Sequence, residues 1–408
     1  MFPLSRQKLS SLYGTEQALA LFLYEEGEYV KYIRLFGLCV FILLLASCND
    51  SNHLPKTPPE PSMGVIGNGQ KNPPPEKKLP IIPLVLEDGE FNQVHDWMET
   101  NKIIYSYTKG STYYLATFDV YTEATELLYT SENPIVSVIV HPERKKLLVQ
   151  TAPLTYQASI TIMNTNGNIL TEQDIASSEV SIEWNPTNDN HLLITAFNED
   201  WSYEVYHLQV QNEQLEKHNH LQPFYKWFNS DNVLEQKWGE GIALFAPLWK
   251  TNIEDKEQSE SFFPSVYYYD WLAQTYLFTI TVPESDETTF QYRFYTDENR
   301  DPMYQLDMPN LTQFTDWIVP FYTFTEQDEM FYTFVPEHHG IIDTYGGTFA
   351  LKQYDLEHQI EKTLFDSLEN KPISCDGTSN LCLYGYQFEQ IIDLEELNIT
   401  SLISKKEE

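Results

Sequence analysis

Short apolar stretches alternate with polar turns along most of the chain, and from about residue 81 four of them share one layout. They are Val94-His95-Asp96-Trp97 leading to Ile103-Ile104-Tyr105, Val138-Ile139-Val140-His141 leading to Leu147-Leu148-Val149, Ser181-Ile182-Glu183-Trp184 leading to Leu192-Leu193-Ile194, and Phe224-Tyr225-Lys226-Trp227 leading to Val233-Leu234. The steps from Trp97 to His141, Trp184 and Trp227 are 44, 43 and 43 residues. A fixed period of this size marks a repeat architecture. Each repeat continues into a longer strand and a turn, as in Ile160 to Leu170, where Asn166-Gly167 offers the positive φ angles of a tight hairpin. Trp201 to Val210 fills the same place in the third repeat. Four antiparallel strands in about 40–45 residues make one propeller blade, which cannot bury both faces alone and must pack with others around an axis.

Beyond Trp227 the period blurs. Val266 to Trp271 followed by Tyr276 to Ile280 reads as an outer hairpin after an acidic loop around Asn252 to Glu260. A further blade runs from Trp317 through Phe324, turns at Gln327-Asp328, and continues through Phe331 to Phe334 into Thr348–Tyr354 and Thr363–Leu368. A last pair, Ile373 to Tyr386, turns at Asp376-Gly377. Only Gln387 to Asp393 then remains, so Ile82 to Leu86 is expected to supply the strand that closes the ring. The expectation is an all-β propeller over residues 81–393 with six blades, seven being the alternative, and a C-terminal tail over 394–408.

The N-terminal part has a different composition. Leu35 to Ala46 is the one long apolar run, with Lys31 and Arg34 before it and Ser47-Cys48 after it. Twelve residues fall short of the roughly 20 that span a bilayer and suit the apolar centre of a secretory signal. Leu45-Ala46-Ser47-Cys48 resembles the bacterial lipoprotein box, in which the chain is cut between Ser47 and Cys48 and the Cys48 thiol carries the lipid; two acyl chains hold a protein stably at a membrane. Residues 30–47 are therefore expected to be a lipoprotein signal. About thirty residues precede it without the composition of a signal's basic start, and Val30 is what an internal GTG start reads as, so residues 1–29 are expected to be an over-extended start. From 48 to 80 the chain carries Pro55, Pro58, Pro59, Pro61, Pro73, Pro74, Pro75 and Pro80 with almost nothing apolar, the composition of a semi-stiff tether.

Charge narrows the function. Asp+Glu 60 against Lys+Arg 25 gives a net charge of −35, a field that repels nucleic-acid phosphates. The first 47 residues carry four basic and four acidic side chains, so an exported form keeps the whole charge, which favours solubility. Tyr 27, Phe 23 and Trp 8 with Gly 16 favour aromatic-rich strands over a glycine-rich nucleotide site.

The search for chemistry finds few specific signals. Cys375 and Cys382 flank Asp376 to Leu381 and are expected to form a disulfide outside the membrane. His338-His339 beside Glu337 and Asp343 invites a metal reading, but adjacent strand residues face opposite ways, so a solvated loop is the expectation. Asp297-Glu298-Asn299-Arg300-Asp301 opens like a calcium loop, yet Pro302 and Met308 stand where glycine and a bidentate Glu belong; a looser calcium site is all that stays open, and no cofactor is expected. No nucleophile-elbow, zinc-protease, P-loop or dinucleotide motif occurs, and no catalytic residue is nominated. The aromatic groups Tyr267–Trp271, Tyr292–Tyr295 and Phe321–Phe324 would serve as sugar platforms if exposed, and are expected to be blade packing.

Glu183-Trp184-Asn185-Pro186 with Leu192-Leu193-Ile194, and His141-Pro142-Glu143 with Leu147-Leu148, resemble the W-x-P-D-G-x-x-L motif of TolB-type propellers. Signal, tether and repeats together look like the YqgU-like β-propeller lipoproteins of Gram-positive bacilli. That resemblance covers the chain from about Val30 onward, implies a six-bladed propeller on the outer face of the cytoplasmic membrane, and carries over no catalytic residues. The functional expectation is a membrane-anchored module, not an enzyme, that binds an extracytoplasmic protein or wall polymer; a chaperone or assembly factor would share this reading. The competing reading is a glycan-active enzyme, which requires two close carboxyl groups in the channel, one with a raised pKa.

Overall fold

The computed structural model describes residues 79–239, 243–296, 300–314, 316–378 and 380–404, all within the part beginning at Pro80 save Leu79. The signal, Ser47, Cys48, most of the tether, and Asp297 to Asn299 of the calcium-like loop lie outside these residues.

The described residues form seven four-stranded antiparallel sheets, spanning 90–131, 135–176, 179–217, 226–266, 268–309, 322–368 and 373–401. In each, the chain starts at one edge and works strand by strand to the other. First strands of neighbouring sheets lie side by side, and Glu90–Glu99 of the first sheet meets Ile373–Cys375 of the seventh, which closes the ring. Both faces of each sheet are covered, which is why second strands such as Lys146–Leu154 and His191–Phe197 are runs of buried residues without alternation. Last strands such as Gln214–Lys217 and Ile360–Leu368 stand at the rim and are largely exposed. The propeller expected from the period is present; seven four-stranded sheets correspond to the alternative count.

Several expectations change in detail. Tyr268–Leu272 is the innermost strand of the fifth sheet rather than part of an outer hairpin, and Trp271 stands 44 residues after Trp227, on the beat. Trp317 belongs to a small inserted sheet of Leu311–Gln313 and Asp316–Ile318, which precede the sixth sheet, and Gly340–Ile341, from the link between that sheet's second and third strands. Residues 394–408 do not begin as a tail: Asn398–Ser401 is the outer strand of the seventh sheet, which is complete without any N-terminal strand. Leu84–Val85 does meet the C-terminal end, but as a separate parallel pair with Ile403–Ser404. In the Asn166-Gly167 turn only Gly167 takes positive φ, +79°. The Asn164 carboxamide oxygen accepts from the backbone N–H groups of Asn166 and Asn168 and holds the turn from outside, and a Cβ on Gly167 would lie 2.5 Å from the Leu128 carbonyl oxygen.

Cys375 and Cys382 are directly opposed on neighbouring strands and joined by a disulfide. The Arg144 guanidinium donates to the Asp376 carbonyl oxygen at 2.8 Å, linking the second sheet to the seventh across the inner end of the first.

Candidate functional site

The residue before each tryptophan on the beat is polar: Asp96, Glu183, Lys226 and Asp270. Successive strand residues point opposite ways. The indole enters the packing against a neighbouring sheet, as when Trp227 Nε1 donates to the Glu183 carbonyl oxygen at 3.1 Å, while the polar residue turns to the inner edge.

There the side chains form one chain of contacts over four consecutive innermost strands. The Lys226 ammonium lies 3.2 Å from Glu183 Oε2 and 3.4 Å from Asp270 Oδ1. Tyr322 of the sixth sheet donates its hydroxyl to Asp270 Oδ2 at 2.6 Å and meets the Tyr268 hydroxyl at 2.7 Å. Groups that join four sheets in succession must lie on the channel wall. Glu183, Lys226 and Asp270 keep 23%, 34% and 20% of their side-chain surface accessible, so water reaches them although protein surrounds them. On the other side of the ring, Ser374 Oγ donates to Asp96 Oδ1 at 2.8 Å, and Trp97 Nε1 to the Ser374 carbonyl oxygen at 2.9 Å.

The electrostatics follow from this crowding. Burial raises the pKa of Glu183, partly offset by Lys226, and burial raises that of Asp96, partly offset by Ser374. For Lys226, burial favours the neutral amine, but Asp270 and Glu183 together outweigh it and hold the ammonium well above the ordinary lysine range. Burial likewise lifts the hydroxyls of Tyr268 and Tyr322. A glycosidase needs one carboxyl free to give a proton and another free to meet the sugar. Here two carboxylates share one ammonium, and Asp270 also accepts from the Trp271 N–H and Tyr322. The arrangement is a brace, with one feature of the enzyme reading, a raised carboxyl pKa, and without a free partner for it.

Removing the ammonium leaves two acids facing each other on the channel wall. Lys226→Met is expected to cost about 2–3 kcal/mol, below the range for fully buried pairs because water enters. Glu183, raised by burial and no longer offset by the ammonium, then takes up a proton more readily folded than unfolded, so the native state binds more protons and the deficit grows as pH rises. Urea unfolding at pH 5 and pH 8 checks this; an equal deficit at both would show that the carboxylates are not coupled to the ammonium.

The aromatic groups expected as packing are largely that: Tyr267, Tyr269, Trp271, Tyr292, Phe294 and Tyr295 are buried. His338 and His339 do not converge. His339 Nδ1 lies 2.8 Å from Asn310 Oδ1, and the His338 ring lies against Tyr345.

Strand direction alternates within each sheet, so the turns joining second to third strands and the links between sheets fall at the same end of the ring. That end carries six exposed large apolar side chains: Leu154, Tyr156, Trp201, Phe314, Ile341 and Tyr386. Tyr156 donates its hydroxyl to Glu199 Oε1 at 2.5 Å, which joins the tips of the second and third sheets.

Ring, inner brace and apolar end define a β-propeller with braced walls and exposed apolar side chains at one end. The chain matches the YqgU-like 6-bladed beta propeller domain over residues 119–385 and belongs to that family. The matched stretch holds the second to sixth sheets whole, with the outer strand of the first and the two inner strands of the seventh. The chain is 23% identical over 333 residues to the uncharacterized lipoprotein YqgU of Bacillus subtilis strain 168, covering 82% of this chain and 90% of that relative. The crystal structure of uncharacterized protein lmo1340 from Listeria monocytogenes EGD-e superposes with a TM-score of 0.72 at 19% identity, over 80% of this chain and 98% of that one. The β-propeller domain of the Trilobed protease from Pyrococcus furiosus, described as having an open velcro topology, follows at 0.51 and 12% identity, over 78% and 99%. These likenesses show the fold.

The channel residues escaped the sequence reading although a signal was there: the polar position before each tryptophan keeps the same period as the tryptophan.

Proposed function

We propose that the protein is a lipid-anchored, extracytoplasmic binding module that takes a protein partner on the apolar end of the propeller. The observation that carries this reading is the gathering of Leu154, Tyr156, Trp201, Phe314, Ile341 and Tyr386 at one end of a protein with net charge −35. Exposed apolar side chains collected at one end of a strongly charged protein offer a place for a partner, and aromatic side chains are enriched at the centres of interfaces. The lipobox at Cys48, the proline-rich tether and the lipoprotein named among its relatives support anchorage at the outer face of the cytoplasmic membrane. The tether lets a propeller that anionic head groups repel stand away from the surface.

The test is capture from cross-linked cell envelopes by the full lipidated chain and by a Tyr156→Ser, Trp201→Ser, Phe314→Ser variant. A discrete protein recovered by the native chain and reduced at least tenfold with the variant is the expected result. Equal recovery by both overturns the reading, and recovery of wall glycan alone favours the enzyme alternative.

A further inference from the structure

The third and fourth sheets hold a group of side chains that neither the brace nor the apolar end uses. His207 lies on Tyr203–Gln209, the third strand of the third sheet; His218 follows its outer strand Gln214–Lys217; Glu254 lies in the turn after Ala246–Asn252 of the fourth sheet. One nitrogen of each histidine and a carboxylate oxygen of Glu254 all lie within 4.8 Å of one another, with His207 Nδ1 3.7 Å from Glu254 Oε1.

What makes this more than a cluster is that two buried nitrogens there have no partner. His207 and His218 are 2% and 7% exposed, and neither His207 Nδ1 nor His218 Nε2 has a hydrogen-bond partner. Buried polar atoms are ordinarily paired, and leaving one unpaired costs about 1–3 kcal/mol. Two such atoms converging on one point call for something between them. The opposite nitrogens are engaged. His218 Nδ1 lies 2.7 Å from the Ile253 carbonyl oxygen, which can only accept, so Nδ1 carries the proton and Nε2 of the neutral ring presents a lone pair. His207 Nε2 lies 2.8 Å from His191 Nδ1, and donation from His207 to His191 leaves the His207 Nδ1 lone pair facing the same point. A histidine held by a hydrogen bond at its outer nitrogen, with its inner lone pair free, is the usual state of a metal ligand.

We propose that His207, His218 and Glu254 form a binding site for a divalent transition-metal ion, zinc foremost. Two imidazoles and one carboxylate suit zinc, whereas calcium and magnesium prefer all-oxygen shells. Tetrahedral ligation at about 2.0–2.1 Å brings donors to about 3.4 Å apart, so the site closes by small side-chain movements. Glu254 keeps 60% of its side-chain surface exposed, which leaves room for water as fourth ligand. The ion would tie the third sheet to the fourth near the rim. The proposal is independent of the binding function argued above.

The test uses the full chain, tag removed and stripped with a chelator, titrated with zinc against a competing chromophoric chelator that masks weak surface carboxylates. One zinc per chain is expected, with a higher melting temperature. His207→Gln and His218→Gln should abolish tight binding, and Glu254→Gln should weaken it at least tenfold, while a His338→Gln, His339→Gln variant keeps the stoichiometry. If either buried-histidine variant fails to fold, Glu254→Gln in its exposed turn decides. The proposal is overturned if the native chain takes up no zinc under competition, or if Glu254→Gln binds it as tightly.

Discussion

Truncation after Asp393 should abolish the cooperative fold. It removes Asn398–Ser401, which pairs with Gln390–Asp393 along the edge of the seventh sheet, and Leu402, which is wholly buried among Leu84, Val94, Leu381 and Ile391. Loss of the Leu402 side chain alone is worth about 3 kcal/mol as a large-to-small core change. The pair between Leu84–Val85 and Ile403–Ser404 goes with it, as does the N–H of Leu84 donating to the Leu402 carbonyl oxygen at 2.7 Å. Ile391 and Ile392, both fully buried, would then lie on an unpaired edge strand, an invitation to aggregate. Against a total stability of about 5–15 kcal/mol these losses leave little. Circular dichroism melting tests this: the truncated chain should show no cooperative transition, and a melt within a few degrees of the full chain would restore the reading of residues 394–408 as a dispensable tail.

The second large effect lies at the seam of the ring. Trp97 is 1% exposed and packs in the same cluster, and its indole donates to Ser374 of the seventh sheet. Trp97→Ala should cost about 3–5 kcal/mol through the cavity it leaves. Trp97→Phe keeps most of the apolar contact and strands only the Ser374 carbonyl, for about 1–2 kcal/mol. Trp201→Ala, at an exposed turn, should stay within about 0.5 kcal/mol of the native chain. Urea unfolding of the three variants gives the order; equal losses at Trp97 and Trp201 would contradict a ring closed by the Trp97–Ser374 contact.

These residues also show what the sequence could and could not reveal. The first four repeats were legible because their turns are similar in length, so Trp97, His141, Trp184 and Trp227 keep time. Trp271 keeps it too, but the run Tyr267 to Tyr269 before it is aromatic on both faces, so the alternation in burial of Tyr268–Leu272 leaves little trace in residue type. The beat fails at Trp317 because the small inserted sheet separates that indole from Tyr322–Thr325, the true inner strand. The last outer strand was missed because Asn398–Ser401 is four residues long, polar, and preceded by Glu395 and Glu396, and only its pairing partner makes it a strand. The brace of Glu183, Lys226 and Asp270 was half legible: the positions were periodic, but their complementary charges acquire meaning only when three sheets stand side by side. His207, His218 and Glu254 share no period, since two sheets bring them together from three unrelated turns and strands.

The apolar end is the face proposed to meet a partner. A photo-reactive amino acid placed at Trp201, and separately at Leu397, an exposed apolar residue in a turn at the opposite end, measures this in intact cells. A cross-linked adduct of one discrete mass is expected from position 201 and none from position 397. Adducts from 397 alone, or the same adducts from both positions, would contradict it.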